Sequence, residues 1–269
     1  YVQDGNWSCT NGVTVSNGKI TLTNGQSTTC SVTNRYQTGS LDITKTVTSA
    51  PAGGYTQGTA TAFTAQYSCA VGTSAPIVGT RTVNPNGTNG QVGATVTIPN
   101  LPAGAVCTVT ELNAPTGTSA NLVNTSWAWG APSVNPVQAV TVPVGGTVTV
   151  NITNPVTQNT GSLVIAKQVT PRAGVSSAAY LGGNSRTFPI TYTCTIGSTT
   201  TASGTVNVAN GQSETVTGIP ATSSCVLTES LTGQTGDFLD ASFRWDGRAF
   251  TQPAVIPING TSNGTVTNY

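Results

Sequence analysis

The sequence predicts an all-β chain of tandem β-sandwiches joined by short linkers, and three observations predict it. Helix formers are few while Gly, Thr, Ser, Asn and Val abound, a composition suited to pleated strands and turns. Apolar and polar residues alternate with period two in short segments about ten residues apart, punctuated by Gly, Pro and Asn. The pattern also recurs. Residues 38–156 and 157–269 carry the same six features in the same order, which suits two domains of about 100–120 residues each.

Each repeat opens on a strand, Ser40-Leu41-Asp42-Ile43-Thr44-Lys45 and then Ser162-Leu163-Val164-Ile165-Ala166-Lys167, in which Leu, Ile and Lys share a face. A second strand ends in cysteine: Phe63, Ala65, Tyr67 and Cys69 line up, as do Phe188, Ile190, Tyr192 and Cys194. After a Gly/Asn-rich stretch comes a Val/Thr strand, Val96-Thr97-Ile98 or Thr215-Val216-Thr217. It leads into the turns Leu101-Pro102-Ala103-Gly104 and Ile219-Pro220-Ala221-Thr222. Cys107-Thr108-Val109-Thr110-Glu111 follows the first turn and Cys225-Val226-Leu227-Thr228-Glu229 the second. An aromatic strand is next, with Trp127 and Trp129 answered by Phe243 and Trp245. Val150-Asn151-Ile152-Thr153-Asn154 and Thr265-Val266-Thr267-Asn268 close the repeats, and residues 155–161 read as the linker between them.

Residues 1–37 break the pattern. Trp7-Ser8-Cys9 and Cys30-Ser31-Val32-Thr33-Asn34 match the end of a repeat, with Trp7 in the place of Trp127 and Asn34 in that of Asn154. The same match sets Cys9 at Trp129 and Cys30 at Val150. The front of that repeat, with its lysine and glutamate, does not occur. The segment is expected to be the closing strands of an incomplete preceding repeat, or a strand-exchanged segment, since open strand edges invite augmentation by another chain. The absence of Met fits a processed piece of a longer precursor.

Composition excludes whole classes. Charged residues are 6% of the chain and the net charge is +1, so no basic field exists for nucleic acid or anionic lipid. Without histidine, Ser-His-Asp and Cys-His catalysis and His-ligated metals fall away. No apolar run reaches membrane-spanning length. The expectation is therefore no enzyme acting on an external substrate, no cofactor, no metal and no membrane span. Sequons at Asn6, Asn86, Asn124, Asn151, Asn259 and Asn263 are expected by chance in a chain so rich in Ser and Thr.

Six cysteines allow fifteen pairings. The repeat register selects Cys69 with Cys107 and Cys194 with Cys225, leaving Cys9 with Cys30. Each bond would close a loop of roughly 20–40 residues, contributing about 3–4 kcal/mol by chain entropy. Such bonds belong to an oxidising, exported setting. Neither a CxxC nor a close ligand spacing supports a redox or zinc reading.

Strand parity turns three scarce polar residues inward in each repeat: Lys45, Glu111 and Asn154, then Lys167, Glu229 and Asn268. The chain has only three Lys and three Glu, and two of each fall at these matched places. A buried ammonium is costly unless neutralised or paired. Burial would lower the lysine pKa to leave a nucleophilic amine, and raise the carboxyl pKa so that a protonated Glu can hydrogen-bond the Asn carbonyl oxygen. Attack of the amine on the amide carbon would expel ammonia and leave a Lys–Asn isopeptide bond, enforced proximity replacing an external enzyme. A buried Lys–Glu ion pair with the Asn hydrogen-bonded is the alternative these residues leave open.

The Leu-x-Ile-x-Lys strand, the run Val109-Thr110-Glu111-Leu112-Asn113-Ala114-Pro115-Thr116-Gly117 and the final Val-x-x-x-Asn strand resemble Cna B-type, prealbumin-like domains. Such domains form the stalks of Gram-positive adhesins and pilins, and the Cys- and Thr-rich version is similar to repeats of large actinobacterial surface proteins. The second repeat departs in reading Glu229-Ser230-Leu231-Thr232-Gly233, without the Ala-Pro, and the first lacks the family's aromatic residue after Gly117. The resemblance implies reverse-Ig, Ig-like sandwiches, with Lys45–Asn154 and Lys167–Asn268 as crosslinks and Glu111 and Glu229 as the acids that promote them. It implies a secreted, bacterial cell-surface setting, with neighbouring repeats or identical subunits as partners.

The expected function is thus an extracellular stalk or filament for adhesion or a pilus-like fibre. The alternative is a ligand-binding adhesin recognising a glycan or host protein through loops or exposed aromatics. For that alternative Trp7, Trp127, Trp129 and Trp245 are the sugar-stacking candidates, although their repeat-equivalent places favour packing. Asp237, Asp240 and Asp246 lack the loop spacing of a calcium site. Gly-Gly runs lack the Lys-Ser/Thr of a phosphate loop, and Leu101-Pro102-Ala103-Gly104 reads as a mid-domain turn rather than a sortase signal.

Overall fold

A computed structural model describes residues 1–56, 63–85, 91–118, 121–230 and 237–269; the sequon at Asn86 and residues 231–233 of the second Glu motif lie outside them. Apart from a 3-10 turn at Ser177–Ala179, the regular elements described are all strands. Strands β1 (Val2–Cys9) and β2 (Cys30–Arg35) pair antiparallel as a hairpin of their own. Then come β3 (Thr38–Ala50), β4 (Phe63–Ala70), β5 (Ile77–Val83), β6 (Gln91–Pro102), β7 (Val106–Leu112), β8 (Trp127–Trp129), β9 (Ser133–Asn135), β10 (Val140–Thr141) and β11 (Thr147–Gln158). They form two sheets, β6-β3-β11-β8 with β9 also on β11, and β10-β7-β4-β5. The second repeat holds β12 (Thr160–Val169), β13 (Thr187–Ile196), β14 (Thr199–Ala209), β15 (Ser213–Pro220), β16 (Ser224–Glu229), β17 (Arg248–Thr251) and β18 (Thr261–Asn268). Its sheets are β15-β12-β18-β17 and β14-β13-β16.

In both repeats the opening strand lies parallel to the closing one, β3 to β11 and β12 to β18. A parallel neighbour needs a long crossover, and here the rest of the repeat supplies it by building the facing sheet. Alternation does the burying: from Gly39 to Val47 every second residue of β3 is buried, and Leu41 and Ile43 are fully so. They meet Ile98, Val109, Val150 and Ile152 in one core, as Leu163 and Ile165 meet Ile190, Val208, Leu227 and Val266 in the other. Each such side chain contributes roughly 1.5–3 kcal/mol of burial. Leu101 is also in the core, so its sortase-like letters are the end of β6 and a turn. The two turns match in bonding: the Gly104 N–H donates to Val142 O and the Thr222 N–H to Ile256 O, both at 2.8 Å. Gly104 (φ +83°) takes the left-handed conformation there without cost, while Thr222 (φ +66°) takes it against its β-branch.

Three expectations change. Residues 155–161 are no loose linker: β11 runs to Gln158 and β12 starts at Thr160. Val156 is buried against Trp129, and the one residue between the strands, Asn159, is bonded through its backbone to both Ser126 and Ala221. Second, residues 243–245 are not a strand, unlike Trp127–Trp129. Third, the match of Trp7 to Trp127 fails in register. Trp127 pairs with Gln158, four residues beyond Asn154, whereas Trp7 lies between the pairs Asp4↔Thr33 and Ser8↔Ser31, on the Cys30 side of Asn34. Trp7 is accordingly 45% exposed and Trp127 4%. Among the described residues no helix is long and apolar enough to cross a membrane.

Candidate functional site

Lys45 on β3 stands opposite Ile152 of β11, and Asn154 is two residues further along, opposite Val47. With side chains alternating, both project from the same face of neighbouring strands. Lys167 opposite Val266 and Asn268 opposite Val169 repeat the offset. The glutamates come from the facing sheet, Glu111 on β7 opposite Ala65 and Glu229 on β16 opposite Ile190. Each trio therefore spans the sandwich.

The carboxylate bridges the other two groups. Lys45 Nζ donates to Glu111 Oε2 at 3.4 Å and Asn154 Nδ2 to Glu111 Oε1 at 3.0 Å. In the second repeat Lys167 Nζ donates to Glu229 Oε2 and Asn268 Nδ2 to Glu229 Oε1, both at 3.3 Å. Lysines and asparagines are at most 1% exposed, and the glutamate side chains at most 3%. Burial pushes both amines down from 10.5 to about 8, against the pull of the paired carboxylate; Arg248 adds a further push on Lys167. Phe63 and Phe188 roof the amines, ring centres 4.6 Å from Nζ in each case. Sequence reasoning places these phenylalanines on the cysteine face but gives them no role; their matched positions are the signal that could have found them.

One expected contact differs. Glu accepts from the amide nitrogen rather than meeting the amide oxygen. Asn154 Oδ1 and Asn268 Oδ1 are left buried with no hydrogen-bond partner. Transfer of one proton from ammonium to carboxylate makes a neutral amine and an acid; a half-turn of the amide then offers its oxygen to that acid. Amine, carboxyl and amide are thus gathered where water is excluded.

The disulfides join Cys69 to Cys107, Cys194 to Cys225 and Cys9 to Cys30, each between directly opposed residues of adjacent strands. Two of them fasten the glutamate-bearing strand to its neighbour, four residues from the carboxyl. Trp127 and Trp129 are buried, so neither stacks on a sugar. The three aspartates are separately occupied: Asp237 pairs with Arg186, Asp246 with Arg172, and Asp240 accepts from the Ser242 backbone and hydroxyl. Among the described residues no group of His, Cys, Asp and Glu could hold a metal ion.

These features define a class: two all-β sandwich domains, each burying a lysine of its first strand and an asparagine of its last against a glutamate of the facing sheet. The chain belongs to the family described as a domain of unknown function, DUF5979, which matches it twice, at residues 41–157 and 163–269. No curated protein matches it. Among solved structures it is similar to a bacterial adhesin from Mobiluncus mulieris containing intramolecular disulfide, isopeptide and ester bond cross-links. That match has 13% identity over 86% of this chain and 98% of that one, with a TM-score of 0.36. It is similar to the T-13 major pilin of Streptococcus pyogenes, at 15% identity over 86% and 96% of the two chains and a TM-score of 0.31. Two B repeat units of the collagen-binding protein of Staphylococcus aureus are similar at 13% identity, over 89% of this chain and 51% of that one, with a TM-score of 0.27.

Proposed function

We propose that this chain is a length of extracellular stalk or filament, displayed at a bacterial surface for adhesion or as a pilus-like fibre, whose repeats weld themselves shut. Residues 38–156 and 157–269 are the welded units, and residues 1–37 are the closing strands of a preceding repeat or a strand-exchanged segment. Lys45 bonds Asn154 with Glu111 as promoting acid, and Lys167 bonds Asn268 with Glu229. The lysine Nζ lone pair adds to the asparagine Cγ, Glu carries a proton from Nζ to the departing Nδ2, and ammonia leaves. One C–N bond forms, one breaks, and the carboxyl is regained. The chemistry begins and ends within the chain, so no outside substrate is involved.

The observation that carries this reading is the burial of amine, carboxyl and amide in one contact, twice, with the same strand offset. A permanent ion pair explains it less well, since buried pairs add little net stability and each amide oxygen is left unsatisfied. The weld also sits where tension would act. Pulling on Thr38 and Gln158 shears β3 along β11, and a bond from Lys45 to Asn154 passes the load across without involving the residues between. From Asn154 the load runs through β11 into β12 and on to Lys167. Three disulfides support an oxidising, exported setting. Neighbouring repeats or identical subunits are the partners such a rod requires.

Intact mass of the reduced chain tests the reading. The welded protein is two ammonias lighter than its sequence, and Glu111→Ala restores one of them. A wild-type chain of full sequence mass sinks the proposal.

A further inference from the structure

Strand β14 of the second repeat is the counterpart of β5 in the first. Each lies at the rim of its sheet and pairs with a cysteine-bearing strand, β14 with β13 and β5 with β4. Tyr192 lies across Gly204 as Tyr67 lies across Gly79, which fixes the register between the repeats. Two rungs along, the pair Ile190↔Val206 therefore matches Ala65↔Arg81. Ala65 and Ile190 are buried, so Arg81 leaves β5 on the core-facing side; its guanidinium carbon stands 5.7 Å from the centre of the Tyr67 ring. A charge so placed keeps further strands away, because an added strand would bury it. Val206 instead packs an aliphatic side chain against the core of the second repeat.

Strand β14 is also the longer, with 11 residues against 7, and it carries neither charge nor proline. The other rims of the second repeat are guarded. β15 carries Glu214 and β17 carries Arg248. On β16 the side chain of Gln252 occupies the edge: its Oε1 accepts from the Leu227 N–H at 2.7 Å and its Nε2 donates to Leu227 O at 3.2 Å. Among the described residues β14 has β13 as its only strand partner, and Ser203, Thr205 and Asn207 along it are exposed.

We propose that the outer edge of β14 pairs antiparallel with β14 of a second copy of this chain, joining two copies side by side. The occupant must be extended and neutral, since a charge brought there would be buried without a partner. A second β14 meets that demand over the same length, and the contact is isologous, so it closes at two copies. The sheet β14-β13-β16 doubles in width across it. With charged residues at 6% and a net charge of +1, little repulsion opposes the approach of identical chains. The choice of an identical subunit rests on the filament reading above, whereas the welds take no part in the contact.

Sedimentation velocity of the full chain between about 1 μM and about 1 mM tests the pairing. The expected result is a monomer–dimer equilibrium in which hydrogen exchange of outward-pointing β14 amides slows by about tenfold in the dimer. Val206→Arg, which copies the first repeat, raises the dissociation constant by about tenfold or more. A monomer throughout the range overturns the proposal. So does a dimer whose β14 amides exchange as fast as in the monomer, or one that Val206→Arg leaves as tight as before, since another surface then holds it. Intact mass of the same samples reports the welds separately: a dimer of full sequence mass keeps this proposal and loses the welds, and a monomer two ammonias lighter does the reverse.

Discussion

Trp129 of the first repeat is 6% exposed, packed against Tyr55 and Phe63 with Val156 closing the cluster from the strand that leaves the domain. Its counterpart Trp245 keeps the same ring neighbours at the same distances, yet stands half-buried beside an open groove. The buried trios, by contrast, agree in partners, offset and amine shift. The trio is assembled from strands internal to each repeat, so each repeat completes it alone. The aromatic end draws its last component from the segment beyond the closing asparagine, so its packing depends on what runs there.

The sharpest way to break that comparison is at the trio. On the proposed welds, Asn154→Ala and Asn268→Ala would each remove a bond closing a loop of about 100 residues, and each should cost its own repeat about 4–5 kcal/mol. Calorimetry should resolve a lowered transition for the substituted repeat alone. A variant that leaves its transition in place marks a repeat held by an ion pair instead. Next in size are the tryptophans. Trp129→Ala empties a closed cluster and should cost about 3–5 kcal/mol in urea unfolding, and Trp245→Ala distinctly less because its ring is already partly wet. Equal losses would erase the distinction between the two ends.

The smallest effect is one of pH, and it sharpens the likeness rather than the difference. In the two asparagine variants the lysines keep a folded pKa of about 8 against 10.5 for the free side chain. Between those values the unfolded chain binds protons the folded chain does not, so stability rises with pH from about 8 to about 10.5 and is level below. Melting followed across that window should rise in both repeats. A flat profile would put that lysine in water.

Much of this is legible in the residues. Alternation along 41–45 and 163–167 turns both lysines inward, and the repeated cysteines match the disulfides found. The two-residue offset between lysine and asparagine is not legible, since it depends on how β3 slides against β11. Nor is the strand at residues 155–158, where Pro and Asn suggest a linker; Pro155 lacks an N–H to donate but its carbonyl still accepts from Gly130. Residues 243–245 mislead the other way. Their letters are those of a strand, yet they form none.

What the sequence determined by itself was which side chains face inward, because the direction of a side chain along a strand is a local property with period two. Two lysines, two glutamates and two asparagines were bound to share interiors once the strands formed. Only the tertiary structure decided which of them touch and that phenylalanine roofs each amine. Those outcomes depend on pairing between segments far apart in the chain, and no local pattern encodes the register or the presence of a partner strand.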